Sequence, residues 1–381
     1  MTGISTTSIH AADKLSRVSD VVAPINVSTT YKYSENVNDL VKAADRNPDD
    51  SIIGEHVYSR ETHPNSEQAE EILGAITDAH AVTYCSGIAA IFAAFTHCNP
   101  KTLAIGGGYH GTHGIADVFT KVKNLKQISL EDCKQDPTLL SAGDMVYVET
   151  PVNPDGEIFD LELFANIAHS RGASLVVDAT FAPPPLSDPF KQGADLVIHS
   201  ATKFFGGHSD LLAGVVLTKD PKVKNDLVNE RVFLGSNIAN LESFLLIRSL
   251  RTYELRILRQ SSNATKIVEY LTANQGKYPK ISKVIHGSLQ KDAFISKQMP
   301  NGDSPVFCIE LESEELAKAF PGKLKYFHHA TSLGGVESLI EWRPLSDSHC
   351  PPNLLRFSVG VENVEDLILD LEQALSNIHQ K

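Results

Sequence analysis

One lysine in this chain sits where chemistry is expected of it. In DLVIHSATKFFGGHSD (195–210) the apolar run of Leu196, Val197 and Ile198 ends at His199 with no helical period. Two hydroxyls and the lysine follow at once: Ser200, Thr202 and Lys203. Other short apolar runs end in similar company. AVTYC (81–85) leads into Ser86-Gly87-Ile88, and TLAI (102–105) into GGGYHGT with Tyr109. MVYVE (145–149) leads into TPVNP with Asn153, and SLVVD (174–178) closes on Asp178. In an open parallel sheet, ligands bind beyond the carboxyl ends of the strands, so strands of that kind would bring all these groups to one crevice.

The residue types say what such a crevice could hold. A lysine beside an electrophilic carbonyl can form a Schiff base. An aspartate can keep a pyridine nitrogen protonated, so that the ring draws electrons from a bound amino acid. Small residues at a helix start leave backbone N–H groups free for a phosphate. Together they point to pyridoxal phosphate. Singly, each has an ordinary explanation: a solvated lysine after a strand, an aspartate capping a turn, a half-buried tyrosine. GGGYHG (106–111) also matches G-x-G-x-x-G after a strand, with Glu131 and Asp132 about twenty residues on, as a dinucleotide site requires. That strand is not the first of its series, however, and a nicotinamide dehydrogenase would leave Lys203 and Asp178 idle.

These residues need a scaffold. From residue 67 onward, short apolar runs alternate with helix-length segments such as IAAIFAAF and DLELFANIAHSRG, with Asp160 an N-cap and Gly172 just past the end. Near-continuous apolar runs mark strands covered on both faces, so an α/β fold with a mostly parallel central sheet is expected. A helical region over 239–273 leads to a smaller α+β part with strands VFCIEL (306–311) and LLRFSVG (354–360). Its last helix has Asn363 as cap and an apolar face of Val364, Leu367, Ile368, Leu371 and Leu375. Residues 1–60, rich in Ser, Thr, Asn and Asp, read as an extended arm. The 381 residues carry a net charge of −13 without a basic cluster, which argues against a nucleic-acid surface. No run reaches membrane-spanning length, and MTGISTTSIHAADK has no signal-peptide core. Five scattered cysteines without C-x-x-C, and histidines without H-E-x-x-H, suggest reduced thiols in a cytoplasmic protein and no metal site.

VVDATF, DLVIHSATKFFGGHSD, SLGGVESLIEW and LLRFSVGVENVEDL, in that order, resemble the cystathionine synthase/lyase family, the pyridoxal-phosphate enzymes of trans-sulfuration. The resemblance runs from IHAAD (9–13) to the last helix. It implies an aspartate-aminotransferase-like fold (fold type I) and a homotetramer made of two active dimers. By this resemblance Lys203 is the Schiff-base lysine and proton shuttle, and Asp178 pairs with the pyridine nitrogen. Asn153 faces the ring hydroxyl, while Tyr109 stacks on the ring and serves as acid at the leaving group. Ser86, Gly87, Ile88, Ser200 and Thr202 bind the phosphate. Tyr58 and Arg60 reach the neighbouring subunit's phosphate. Arg356 clamps the substrate carboxylate, with Ser332 and Thr331 nearby. The implied organisation is an arm (1–60), a cofactor-binding domain (61–245) and a C-terminal domain (246–381).

The departures from the family pattern fall on the substrate side. ETHPNS (61–66) stands where the family has x-x-Asn-Pro-Thr, and Thr331 stands where several γ-acting members carry glutamate. WRPLSDSH (342–349) replaces a His-Pro-x-x-Met-Thr-His segment, and the stretch before Arg356 is short. The expected activity is carbon–sulfur elimination from cystathionine or a related sulfur amino acid. γ-Replacement on an O-acylhomoserine, a cystathionine γ-synthase reaction, comes second. A cofactor-binding relative without catalysis is a further alternative.

Overall fold

The computed structural model describes residues 2–45 and 56–378. Seven strands form the main sheet: β1 (His80–Tyr84), β2 (Thr102–Ile105), β3 (Lys126–Ser129), β4 (Met145–Glu149), β5 (Ser174–Asp178), β6 (Leu196–His199) and β7 (Gly214–Thr218). Their order is β1-β7-β6-β5-β4-β2-β3. The pairs from β3 through β2, β4 and β5 to β6 are parallel, whereas β7 runs antiparallel to both β6 and β1. Strands β2, β4, β6 and β7 are buried at every position, as their unbroken Val/Ile/Leu runs require of strands covered on both faces. Edge strand β3 (KQIS) is mostly exposed, so its polar sequence gives no such signal.

Helices cover the sheet where caps and apolar faces put them. Ser86 caps the helix Gly87–Cys98 by accepting from the Ala89 N–H, and Asp160 caps Leu161–Ser170 by accepting from Leu163. The expected long helical region is two helices, Asn240–Leu250 and Tyr253–Ala273. The break falls at Thr252, whose hydroxyl bonds the Ser249 carbonyl and competes with the helical ladder.

A second sheet follows, with β8 (Ile281–Ile285), β9 (Val306–Leu311), β10 (His328–His329), β11 (Leu339–Trp342) and β12 (Leu354–Ser358) in the order β10-β11-β12-β9-β8. The Phe307 and Phe357 rings stack across β9 and β12 at 4.7 Å. The helix Val364–Ser376, capped by Asn363, buries Val364, Leu367, Leu371 and Leu375 against them. Near the N-terminus, the helix Ile4–His10 lays Ile4 on the main core, but the chain then runs exposed to residue 45. Residues 46–55 of the expected arm lie outside the described residues. No described helix is long and apolar enough to cross a membrane.

Candidate active site

The carboxyl ends of β2, β4, β5 and β6 open on a cavity of about 360 Å³, closed on its far side by β12 and the loop before β11. Lys203 enters it from the turn after β6. That turn is pinned from behind: Arg256, buried, donates to the carbonyls of Phe204 (2.9 Å) and Phe205 (3.4 Å). Gly207, at φ +64°, leaves the space that the Arg256 guanidinium fills. In front, Gly334 at φ +89° brings the SLGG loop against the Lys203 backbone, where a Cβ would lie 2.8 Å from Lys203 C and Phe204 N. Glycine is needed at both positions. The Lys203 ammonium donates to Ser332 Oγ at 2.7 Å, and Ser332 is itself held at φ +82°. Burial, then the charge of Arg356, lowers the Lys203 pKa to about 8 against the opposing pull of Glu341.

Asp178, at the end of β5, is 6% exposed and accepts from the Thr180 N–H (3.0 Å) and the Tyr147 hydroxyl (3.2 Å). Burial raises its pKa in the free chain. A cationic ring nitrogen beside it would restore the carboxylate. Asn153 and Tyr109 are tied together by Glu149, which accepts from the Tyr109 N–H (2.8 Å) and the Asn153 N–H (2.7 Å). Burial, with Asp178 adding to it, pushes Glu149 up. Burial and both acids also keep the Tyr109 phenol protonated. Ser86, Gly87 and Ile88 begin their helix directly against Ser200, and a Cβ on Gly87 would lie 2.8 Å from Ser200 Oγ. That tight approach puts helix-start N–H groups next to the Ser200 and Thr202 hydroxyls, which suits a phosphate.

The residues therefore fit pyridoxal phosphate: a lysine for its aldehyde, a carboxylate for its ring nitrogen and a helix start for its phosphate. Every residue read off the sequence for this site lines the cavity except Tyr58 and Arg60. In this chain Tyr58 is 43% exposed, and Arg60 donates to the Val232 carbonyl at 2.9 Å.

Three residues of the site escape sequence reasoning. Glu149 reads only as the end of a strand. Arg343 and Ser346 also line the cavity, from the segment WRPLSDSH that stands out only as a departure. Arg356 is not a free clamp either. It donates to Asn153 Oδ1 (2.8 Å), the Ser332 carbonyl (2.9 Å) and Glu341 Oε2 (2.7 Å).

The Lys203 environment sets a pH dependence for cofactor capture. Covalent attachment needs the neutral amine, which is scarce at pH 7 and dominant above the pKa of about 8. Recombination of the cofactor-free protein with pyridoxal phosphate should quicken about tenfold from pH 6.5 to 7.5 and level off above 8.5. Stopped-flow absorbance checks this. A rate still climbing steeply at pH 10 would mean that Lys203 keeps an ordinary lysine pKa.

Comparison with known proteins agrees with this geometry. The chain is 34% identical to the cystathionine beta-lyase of Lactococcus lactis subsp. cremoris, covering 98% of this chain and 99% of the relative. It is 32% identical to an L-methionine gamma-lyase of Fusobacterium nucleatum subsp. nucleatum, over 99% and 98% of the two chains. The crystal structure of a cystathionine gamma synthase from Xanthomonas oryzae pv. oryzae, in complex with aminoacrylate and cysteine, superposes with a TM-score of 0.86. It shares 28% identity and covers 99% of each chain. With residues 5–376 matching that family throughout, the chain belongs to the Cys/Met metabolism PLP-dependent enzymes.

Proposed function

We propose that this enzyme breaks a carbon–sulfur bond of cystathionine or a related sulfur amino acid by β- or γ-elimination. The observation that carries this reading is Lys203, a lysine of depressed pKa held in the cavity between Ser332 and the Asp178 wall. Pyridoxal phosphate, when bound, supplies the electron sink that makes the Cα proton removable. Arg356 holds the substrate carboxylate, so the Cα–H bond is presented to Lys203. Lys203 takes that proton. Tyr109, kept protonated, gives one to the departing sulfur. For β-elimination, thioether and water become a thiol, a keto acid and ammonium, with atoms and charge in balance.

A second reading, γ-replacement on an O-acylhomoserine with cysteine, has support in the Xanthomonas oryzae relative. Incubation with cystathionine, and separately with an acylated homoserine plus cysteine, separates the two. Release of thiol, keto acid and ammonia supports the lyase, whereas cystathionine formed from the second mixture, with slow elimination, supports the synthase.

The proposal extends to the subunit arrangement: an arm (1–60), a cofactor-binding domain (61–245) and a C-terminal domain (246–381), assembled as a cytoplasmic homotetramer. The exposed arm carries Val21 at 90% and Val27 at 80% exposure, apolar surface that the described residues leave uncovered. Tyr58 and Arg60 lie off their own chain's cavity, as residues serving a neighbour's phosphate would. Arg60→Ala and Lys203→Ala, each inactive alone, should recover activity when unfolded and refolded together. Hybrids that assemble but stay inactive would place each site within one chain.

A further inference from the structure

The cavity wall opposite the sheet carries two arginines where the carboxylate clamp needs one. Glu341 on β11 lies directly across from Arg356 on β12 in the antiparallel register, and Arg343 follows two residues on. Glu341 Oε2 accepts from both Arg356 (2.7 Å) and Arg343 (2.9 Å), and Oε1 accepts from the Ser346 hydroxyl (2.6 Å). All three charged side chains are 3–4% exposed. One carboxylate thus faces two guanidinium groups. The other acids near Arg343 are Asp347, farther off at 3.4 Å, and Asp155, which feels the Arg343 charge without a direct ion pair. Arg343, Ser346 and Arg356 line the cavity, while Glu341 and Asp347 stand behind them. Among the described residues, the Nε–H groups of Arg343 and Arg356 are buried without a partner. A buried guanidinium with unused donors beside a ligand cavity is suited to a carboxylate.

We propose that Arg343 binds a second carboxylate, carried by the leaving thiol, so that the favoured substrates are thioether amino acids with an anionic sulfur substituent. This inference rests on the elimination reading above. It gives the substrate's far end a determinant where Thr331, a neutral group, offers a distal ammonium no ion pair. Discrimination then falls on the carboxylate rather than on the amine. Because the two arginines share one Glu341 oxygen, their guanidinium groups are close together. The substrate therefore folds back about its sulfur, and short carboxyalkyl groups fit.

Purified holoenzyme should be assayed for keto-acid release from S-(2-carboxyethyl)-L-cysteine and from S-propyl-L-cysteine, which differ at the far end, with the homocysteine analogues alongside. Wild type should favour the carboxyethyl compound by roughly tenfold or more in kcat/KM, mostly through KM, as expected for a charged hydrogen bond. Arg343→Gln should bring that ratio to within about threefold of unity, and Arg343→Lys should retain part of it. Losing Arg343 also leaves Glu341 to Arg356 alone. That weakens both substrates together and cancels in the ratio. Equal handling of the two compounds by wild type overturns the proposal without needing any variant. So does an Arg343→Gln enzyme whose ratio is unchanged. Holoenzyme that eliminates cystathionine but none of these compounds overturns the role of Arg343 alone, whereas holoenzyme that does not eliminate cystathionine either overturns the proposed reaction itself.

Discussion

Lys203→Ala should lower turnover at least about 10³-fold and give a colourless protein, because one side chain both anchors the cofactor and moves the Cα proton. Borohydride should fix the cofactor onto Lys203 in the wild type and onto nothing in the variant. The fold should not suffer. A lysine pKa depressed to about 8 means that the folded, cofactor-free chain disfavours the ammonium form. Between that value and the ordinary lysine range the unfolded chain binds more protons, so the cost of Lys203 is full below about 8 and fades as the pH rises to the ordinary lysine range. Removing the side chain should therefore leave the thermal midpoint of the cofactor-free protein at pH 7 unchanged or higher. Turnover that survives in Lys203→Ala, measured with pyridoxal phosphate in excess, would remove the lysine from the mechanism. A colourless wild type that binds NADH instead would revive the glycine-rich loop as a dinucleotide site.

The second large effect is expected at Arg356. Its guanidinium spans Asn153 on the sheet side and Ser332 and Glu341 on the opposite wall, so it sets the spacing between the two halves of the site. Arg356→Ala should reduce kcat/KM roughly 10²- to 10³-fold, chiefly by raising KM, as removing one member of a buried, hydrogen-bonded charge set does. Glu341 would keep Arg343, which limits the damage to folding. Arg356→Lys should recover little, since an ammonium cannot reproduce three directed contacts and still present a forked face to a carboxylate. Both variants should stay yellow, because Lys203, Asp178 and the phosphate-binding helix start keep their places without Arg356, which reaches the cofactor side only through Asn153. Steady-state kinetics with absorbance spectra tests both statements, and an unchanged KM would place the carboxylate elsewhere.

How much of this was legible follows from where each side chain gets its surroundings. The cofactor side was readable because β4, β5 and β6 are continuous apolar runs, and the residues that do chemistry stand at their ends. The lysine, the aspartate and the phosphate-binding helix start needed only strand adjacency to meet. Strand β3 was not readable, being a largely exposed edge with a polar sequence, and in edge strand β8 the exposed Ser282 and Lys283 break the apolar run ISKVI. Strand β11 hid for another reason: LIEW interrupts its apolar run with Glu341, a charge whose burial is paired by Arg356, opposite it on β12, and by Arg343. The substrate wall depends on that register, which no local pattern encodes. Glu149 is similar, since its two acceptor contacts reach Tyr109 and Asn153 on separate loops.

The sheet order has a consequence for how the chain reaches its native state. Among the described residues, strand β1 pairs only with β7, some 130 residues later in the chain. Gly214, the first residue of β7, packs against the Ser86 carbonyl, where a Cβ would clash. A nascent chain emerging from the ribosome can thus assemble β2 to β5 early, yet must hold the hydrophobic β1 unpaired until residue 218 is available. Contacts of such sequence separation form late and slowly. The phosphate-binding end of the pocket is therefore among the last parts to be completed, and exposed β1 is the segment a chaperone would need to shield during synthesis.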